Sequence, residues 1–288
     1  LAGETREAES EIEEAEERIA RAIDAVEGDN PREALERIEK DVPDTFDDVI
    51  DEYTEAIKEA REFTGANELA TIPDSDVLKI DETPEHLQPL VPFAGYFEPA
   101  PFSGNGDEDT KPRYYLTPSA EAMKQHNRAE IRGTAVSEFY PGHHLQQVVW
   151  ARNASKLSVM AGRFNAFGDD FVEGWMDYAA ERAVEAGYGD ETVELSLARD
   201  RIEAACRAIV DVKLQTGEMS IRDAAGFLAD EGGVEQEVAL AEVKSFTENP
   251  GGEVSRLVGA RMLRELKEDI DMKERDFHDT LLEGGGVP

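Results

Sequence analysis

The tightest constraint on the fold is the spacing of apolar residues between Thr45 and Phe63. Phe46, Val49, Ile50, Tyr53, Ile57 and Ala60 recur at intervals of three and four, which gathers them on one face of an α-helix. The same period predicts a helix over 4–27, with Ile12, Ile19, Ile23 and Val26 on a stripe and Gly28 as its stop. Asn30-Pro31 is an N-cap followed by a proline at the first helical position, so a short helix runs to about Lys40. Helical periods dominate again from Thr134. They predict helices over about 134–160, 171–186, 192–214, 220–230, 234–247, 253–268 and 273–282. Gly162, Gly187, Gly217, Gly232-Gly233 and Pro250-Gly251 punctuate them. Between these blocks, residues 66–118 are rich in Pro, Gly, aromatic and β-branched residues. They read as short strands and loops, with "RYYLTP" as one strand and "GNGDED" as an acidic turn. Pro118-Ser119 then opens a helix to about Arg132. The expected architecture is mostly α. An N-terminal helical segment (1–65) belongs to the same domain as a strand and loop region (66–118) and a helical region (119–288).

Charge narrows the functional classes. The 288 residues hold 65 acidic against 30 basic side chains, a formal charge of −35, and only ten of the bases are Lys. Such a surface repels itself at low salt and is tolerated when salt screens it. The composition therefore predicts a halophilic, archaeal protein. It argues against nucleic-acid partners, which need a basic face, and against anionic membranes. Cys206 is the sole cysteine, so no internal disulfide can form and a reducing compartment is expected. There is no run of about 18 apolar residues and no basic leader, so a cytoplasmic protein is expected. The start at Leu1 points to a piece of a longer chain. Oligomeric state is left open.

The stretch "SEFYPGHHLQ" (137–146) carries the chemistry. A zinc hydrolase needs two or three His or carboxylate ligands and a further carboxylate to deprotonate the bound water. The usual helical form is H-E-x-x-H, with ligands at i and i+4. Here Glu138 is followed by Pro141-Gly142 and then His143-His144. Pro141 must kink or break the helix, and the extra residues could let position 143 act toward 137 as i+4 normally does. Position 137 is Ser. A third ligand commonly comes from a following helix, and Glu173, in "FVEGWMDYAAE", opens one with Trp175 as a pocket wall, although helix starts also favour Glu for the dipole alone.

These stretches, with "CRAIVDVKLQTGEMS", "FHDTLLEGGGVP", "REFTGANELATIPDSDVLKIDETP" and "GYFEPAPFSG…PRYYLTP", resemble successive signatures of the family catalogued as domain of unknown function 885. The resemblance runs over essentially the whole chain and corresponds to the C-terminal half of usual members. That family is grouped with zinc peptidases and carries H-E-x-x-P-G-H-H-x-Q followed by E-G-W. The resemblance implies a gluzincin-like helical domain with a small β-sheet beside the motif helix. It implies Glu138 as catalytic base, and His143 or alternatively His144, with Glu173, as metal ligands. Gln146 matches the end of the motif. His278 and Tyr115 fall where substrate contacts are expected. Three positions depart from the pattern: Ser137 replaces the first His, Gln215 stands where a His is expected, and Arg256 stands near an expected Tyr. Zinc is implied, but weakly held or absent, because a serine hydroxyl is a poor ligand.

Two readings follow. In one, the chain is a catalytically silent relative that keeps the fold for binding or structure. In the other, it is an active metal-dependent hydrolase of peptides or small amides with Glu138 as base. Elsewhere, His86 and His126 are expected on surfaces or helix faces, and Trp150 and Trp175 in the core or as pocket walls. Cys206 is expected as a buried small hydrophobe. The aromatics of "GYFEP" and "RYYLTP" form either a peptide-aligning edge strand or plain packing.

Overall fold

The computed structural model describes residues 6, 8–10, 31–74, 76–98, 111–153, 169–248 and 250–285. The helix expected over 4–27 lies almost wholly outside them, as do the acidic turn, the end of the helix expected to reach 160, and Gly162. The described residues form a mostly helical protein with one small mixed sheet.

Helices α1 (Pro31–Lys40) and α2 (Phe46–Ala66) come first. A capping box sets the start of α2. Thr45 Oγ1 accepts from the Asp48 amide at 3.1 Å, and the Asp48 carboxylate accepts from the Thr45 amide at 3.0 Å. The predicted stripe is the buried one: Val49, Tyr53, Ile57 and Ala60 point inward, with Ala56 and Thr64. Each fully buried side chain of this size contributes on the order of 1.5–3 kcal/mol.

Strands β1 (Lys79–Glu82), β2 (Ala94–Phe97) and β3 (Arg113–Leu116) follow. The order is β1-β3-β2, with β3 parallel to β1 and antiparallel to β2. Along β3 the side chains alternate. Tyr114 and Leu116 face the core, while Arg113 and Tyr115 lie on the other, half-buried face.

One helix was expected over 119–132, but there are two, α3 (Ala120–Gln125) and α4 (Arg128–Thr134). Asn127 explains the break. Its side chain accepts from the Glu130 amide at 2.9 Å, so it starts a new helix instead of continuing the old one. The break also corrects the expectation for His126. Its ring is fully buried, stacked on Phe93 at 4.3 Å and 3.2 Å from the Tyr53 hydroxyl, and burial pushes its pKa down to about 4. His86 is exposed as expected.

A π-helical turn (Ala135–Phe139) continues α4, and after a break come α5 (His143–Asn153), α6 (Asp169–Glu185), α7 (Glu191–Gln215), α8 (Ile221–Asp230), α9 (Gln236–Phe246), α10 (Gly252–Asp269) and α11 (Glu274–Gly284). Four of the predicted glycine breaks, Gly187, Gly217, Gly233 and Gly251, have positive φ. Cys206 is buried and free, its thiol pushed up to about 11 by burial. The tightest helix pairing is α6 on α10, made by two glycines. A Cβ on Gly259 would sit 1.7 Å from the Asp170 carbonyl oxygen, and one on Gly174 would sit 2.3 Å from the Gly259 carbonyl carbon. Backbone touches backbone there. The largest core, including Tyr53, Leu69, Tyr114, Ile131, Phe139, Trp175 and Phe277, joins α2, the sheet and the later helices, while Ile38 of α1 packs with Ala129, Leu195 and Ala198.

Candidate active site

The motif residues sit where helical geometry changes. The Tyr140 amide donates to the Ala135 carbonyl at 3.0 Å, closing the widened turn that holds Ser137 and Glu138. Wide turns of this kind frequently mark functional sites. The chain then turns through a cis Tyr140-Pro141 bond into Gly142. Only glycine fits at 142, since a Cβ would lie 1.7 Å from the Ser137 carbonyl oxygen. Trp175 Nε1 donates to the Pro141 carbonyl at 3.0 Å and lies 3.3 Å from that of Gly142, tying the turn to α6. The interruption expected at Pro141 is therefore real, and it takes up residues between Ser137 and His143.

Beyond the turn, His144 is fully buried and bonded on both ring nitrogens. Nε2 lies 2.9 Å from Asp76 Oδ1, and Nδ1 lies 2.9 Å from the Tyr96 hydroxyl. A carboxylate only accepts, so Nε2 carries a proton toward Asp76, and Nδ1 pairs with the Tyr96 hydroxyl. Tyr140 donates its hydroxyl to the second oxygen of Asp76. Burial pushes the Asp76 carboxyl up, but the bond and charge of His144, the bond from Tyr140 and the charge of Arg61 outweigh it, leaving the carboxyl below its ordinary range. His144 thus has no ring lone pair left for a metal.

His143 is different. Its Nδ1 is buried with no hydrogen-bond partner, and its ring meets Tyr96 edge-on at 5.3 Å. Burial, helped by the neighbouring His144, pushes its pKa down to about 4, so the imidazole is neutral at pH 7.

On the other side of the π turn, Glu138 faces α6 and α10. Burial raises its carboxyl to about 7, and the charges of Glu173 and Asp177 add to this while Arg256 opposes it. Arg256 grips Asp177 with two parallel bonds, from Nε at 2.7 Å and from Nη2. It also interacts electrostatically with Asp200 and Glu173. The Ser137 hydroxyl donates to the carbonyl of Gly133, one turn back, at 3.2 Å. Ser137, Asp177, Asp200 and Arg256 line one cavity of about 50 Å³.

The fold therefore brings Ser137, Glu138, Glu173 and Arg256 into one electrostatic neighbourhood. Tyr96 links it to the His pair, because its ring touches both imidazoles and its hydroxyl feels the charge of Glu138. The other candidates stand elsewhere. Tyr115 is on the outer face of β3, packed against Phe97 at 5.0 Å. Gln215 ends α7 and donates to the Phe246 carbonyl at 3.0 Å. It is fifteen residues past Asp200, about 22 Å along the helix at 1.5 Å per residue. His278 is fully buried between the Tyr178 hydroxyl (3.0 Å) and the Leu69 carbonyl (2.7 Å), its pKa lowered chiefly by burial. Trp175 and Tyr178 project from α6 roughly opposite to Glu173 and Asp177, given 3.6 residues per turn, so His278 lies behind that helix. Gln146 is buried and donates to the Phe171 carbonyl at 3.2 Å. Sequence reasoning missed Asp76 and Asp177, and it read Tyr96 only as an aromatic of an edge strand or of packing. Only Asp177 had a local signal, its i+4 spacing from Glu173.

Zinc does not fit this set. Serine stands at the first anchor, His144 is saturated, and among the described residues no three or more His, Cys, Asp or Glu are arranged to hold a metal ion.

Comparison with known proteins agrees on the fold. Residues 5–288 match the family described as "Bacterial protein of unknown function (DUF885)". The chain superposes over its full length on a "putative lipoprotein of unknown function" from Shewanella oneidensis, with a TM-score of 0.83 and 20% identity, covering 54% of that chain. It superposes equally on a "putative lipoprotein" from Colwellia psychrerythraea, with a TM-score of 0.84 and 19% identity, covering 50% of it. This chain thus spans about half the length of those structures. Among curated proteins, none matches.

Proposed function

The chain belongs to the DUF885 family, and from that premise we propose that it is a catalytically silent relative of zinc peptidases, a binding or structural protein that keeps the fold without the metal. One observation carries the proposal. The Ser137 hydroxyl is engaged by its own helix and both ring nitrogens of His144 are engaged by Asp76 and Tyr96, so neither offers an atom to a metal and at most two of the implied ligands are left. Two protein ligands hold zinc far more weakly than the three of a working site. A peptide or small amide is proposed as substrate only under the active reading below.

The test is metal content. Protein purified in high salt is expected to contain well under one zinc per chain, and chelator is expected to leave its melting temperature unchanged. Stoichiometric zinc, with peptide cleavage that chelator abolishes, would overturn the proposal.

The carboxyl of Glu138, held at about 7, supports a second reading. A carboxyl tuned near neutrality suits proton transfer from water during amide hydrolysis. Any cleavage activity should then vanish in Glu138→Gln. The acid excess supports a salt-rich surrounding, and a reducing cytoplasm stays the proposed compartment. Cell fractionation tests it against the envelope, where the two relatives described as lipoproteins would belong.

A further inference from the structure

We infer that the cavity between α1, α2, α4 and the start of α7 is a second binding site, built to hold a small zwitterion of the size of a dipeptide with free ends. Its lining shares no residue with the motif, so the inference stands apart from either reading of the motif.

The cavity has a volume of about 440 Å³, and sites for small molecules usually span about 300–1,000 Å³. Three arginines line it, Arg37 from α1 and Arg128 and Arg132 from α4. That is a concentration of cations in a chain with 30 basic against 65 acidic residues. Like charges at i and i+4 on a helix repel, so the pair on α4 needs anions beside it. Asp41, Glu52 and Asp190 line the same cavity. Arg128 donates from Nε to Glu52 at 2.8 Å and from Nη1 to Asp41. Arg132 donates from Nη1 to Asp190 at 3.0 Å and from Nη2 to Glu59 at 3.3 Å. The acids are fixed in turn. The Asp41 carbonyl accepts from the Arg128 amide at 2.9 Å, and the Asp190 carboxylate accepts from the Thr192 amide at 3.0 Å. A guanidinium has five N–H donors and a carboxylate about four lone-pair sites, so these bonds position the groups without exhausting them. The outcome is two prearranged ion-pair groups separated by four residues of α4, about 6 Å along the helix. A dipeptide spans about 7 Å at 3.3–3.6 Å per residue, so its carboxylate can meet one arginine while its ammonium meets the acids beside the other. Charge selects the same class. A free anion is repelled by the formal charge of −35, and a simple cation faces three guanidiniums. A zwitterion escapes both penalties. Arg128 keeps 42% of its side-chain surface exposed, so the ligand enters from solvent.

The probe is the dipeptide alanyl-alanine, offered beside its N-acetylated and C-amidated forms at constant ionic strength, with calorimetry and thermal melting as readouts. The free dipeptide should bind saturably and raise the melting temperature. Each blocked form should bind at least about tenfold more weakly, since it loses one charge-assisted contact. Arg132→Met should weaken the free dipeptide at least about tenfold for the same reason. If Arg132→Met does not fold, Arg37→Met, on the exposed side of α1, is judged by the same criterion. Three outcomes overturn the inference: no saturable binding to wild type, equal binding of the free and blocked peptides, or dipeptide binding that a folded arginine variant leaves unchanged, which would place it elsewhere.

Discussion

The two sides of the π turn solve the same problem in opposite ways. On the sheet side, Tyr96, His144, Asp76 and Tyr140 form a chain in which every donor has an acceptor and the single carboxylate is held by hydrogen bonds. On the helix side, Glu138, Glu173, Asp177 and Asp200 crowd around Arg256, with only Asp177 gripped by it directly. The first is a satisfied polar network, and in the second the carboxyls outnumber the cation and burial raises those of Glu138 and Asp200. The lesson is that one stretch of chain can feed a hydrogen-bonded network on one side and a charged cluster on the other. A satisfied network should lose stability whenever a member is deleted. An overcharged cluster should gain when a surplus carboxylate is neutralised.

The largest effect is expected on the sheet side. His144→Ala empties a fully buried ring position and strands Tyr96 and Asp76, which should cost about 3–5 kcal/mol in urea unfolding. A loss under about 1 kcal/mol would break the comparison.

The opposite sign is expected for Glu138→Gln. The folded carboxyl is raised from 4.5 to about 7, so the native state holds a proton that the unfolded chain releases. Its destabilising effect is absent below pH 4.5, grows as pH rises toward 7, and stays constant above that. At about 1.4 kcal/mol per pH unit, the variant should be more stable than wild type by about 3 kcal/mol at pH 8 and equal to it at pH 4. Equal pH slopes for the two proteins between 4.5 and 7 would refute the assignment.

Smaller effects sharpen the contrast. Arg256→Lys keeps the charge but loses the two-bond geometry, and should cost about 1 kcal/mol. Ser137→Ala removes one hydroxyl that bonds back into its own helix, and should change stability by less than about 0.5 kcal/mol. A larger loss there would mean that Ser137 has a role in the cleft.

Much of this was written in local patterns. The stripe on α2, the glycine stops and the strand in "RYYLTP" follow from spacing and turn chemistry that act within a few residues. The break at Asn127 was also local, since an asparagine three residues before Glu130 is a capping signature, but the apolar period of the flanking residues masked it. The site was half legible. Glu138, Glu173 and the departures at Ser137 and Arg256 stood in the motifs. Their partners did not: Asp76 and His144 are 68 residues apart, Tyr96 and His144 are 48 apart, and Arg256 and Asp177 are 79 apart. No periodicity reports pairings of that separation. Likewise "FHD" gave His278 the look of a functional residue, and only the packing of α11 against α6 assigns its ring nitrogens to Tyr178 and Leu69.

The glycine contact between α6 and α10 has a mechanical consequence. Where side chains separate two helices, rotamer changes let one slide on the other like a lubricated joint. Gly174 and Gly259 leave no such layer, so the pair behaves as a welded strut. Glu173 and Asp177 on one helix and Arg256 on the other therefore keep a fixed separation, and any widening of the cavity beside Arg256 has to come from elements other than this pair.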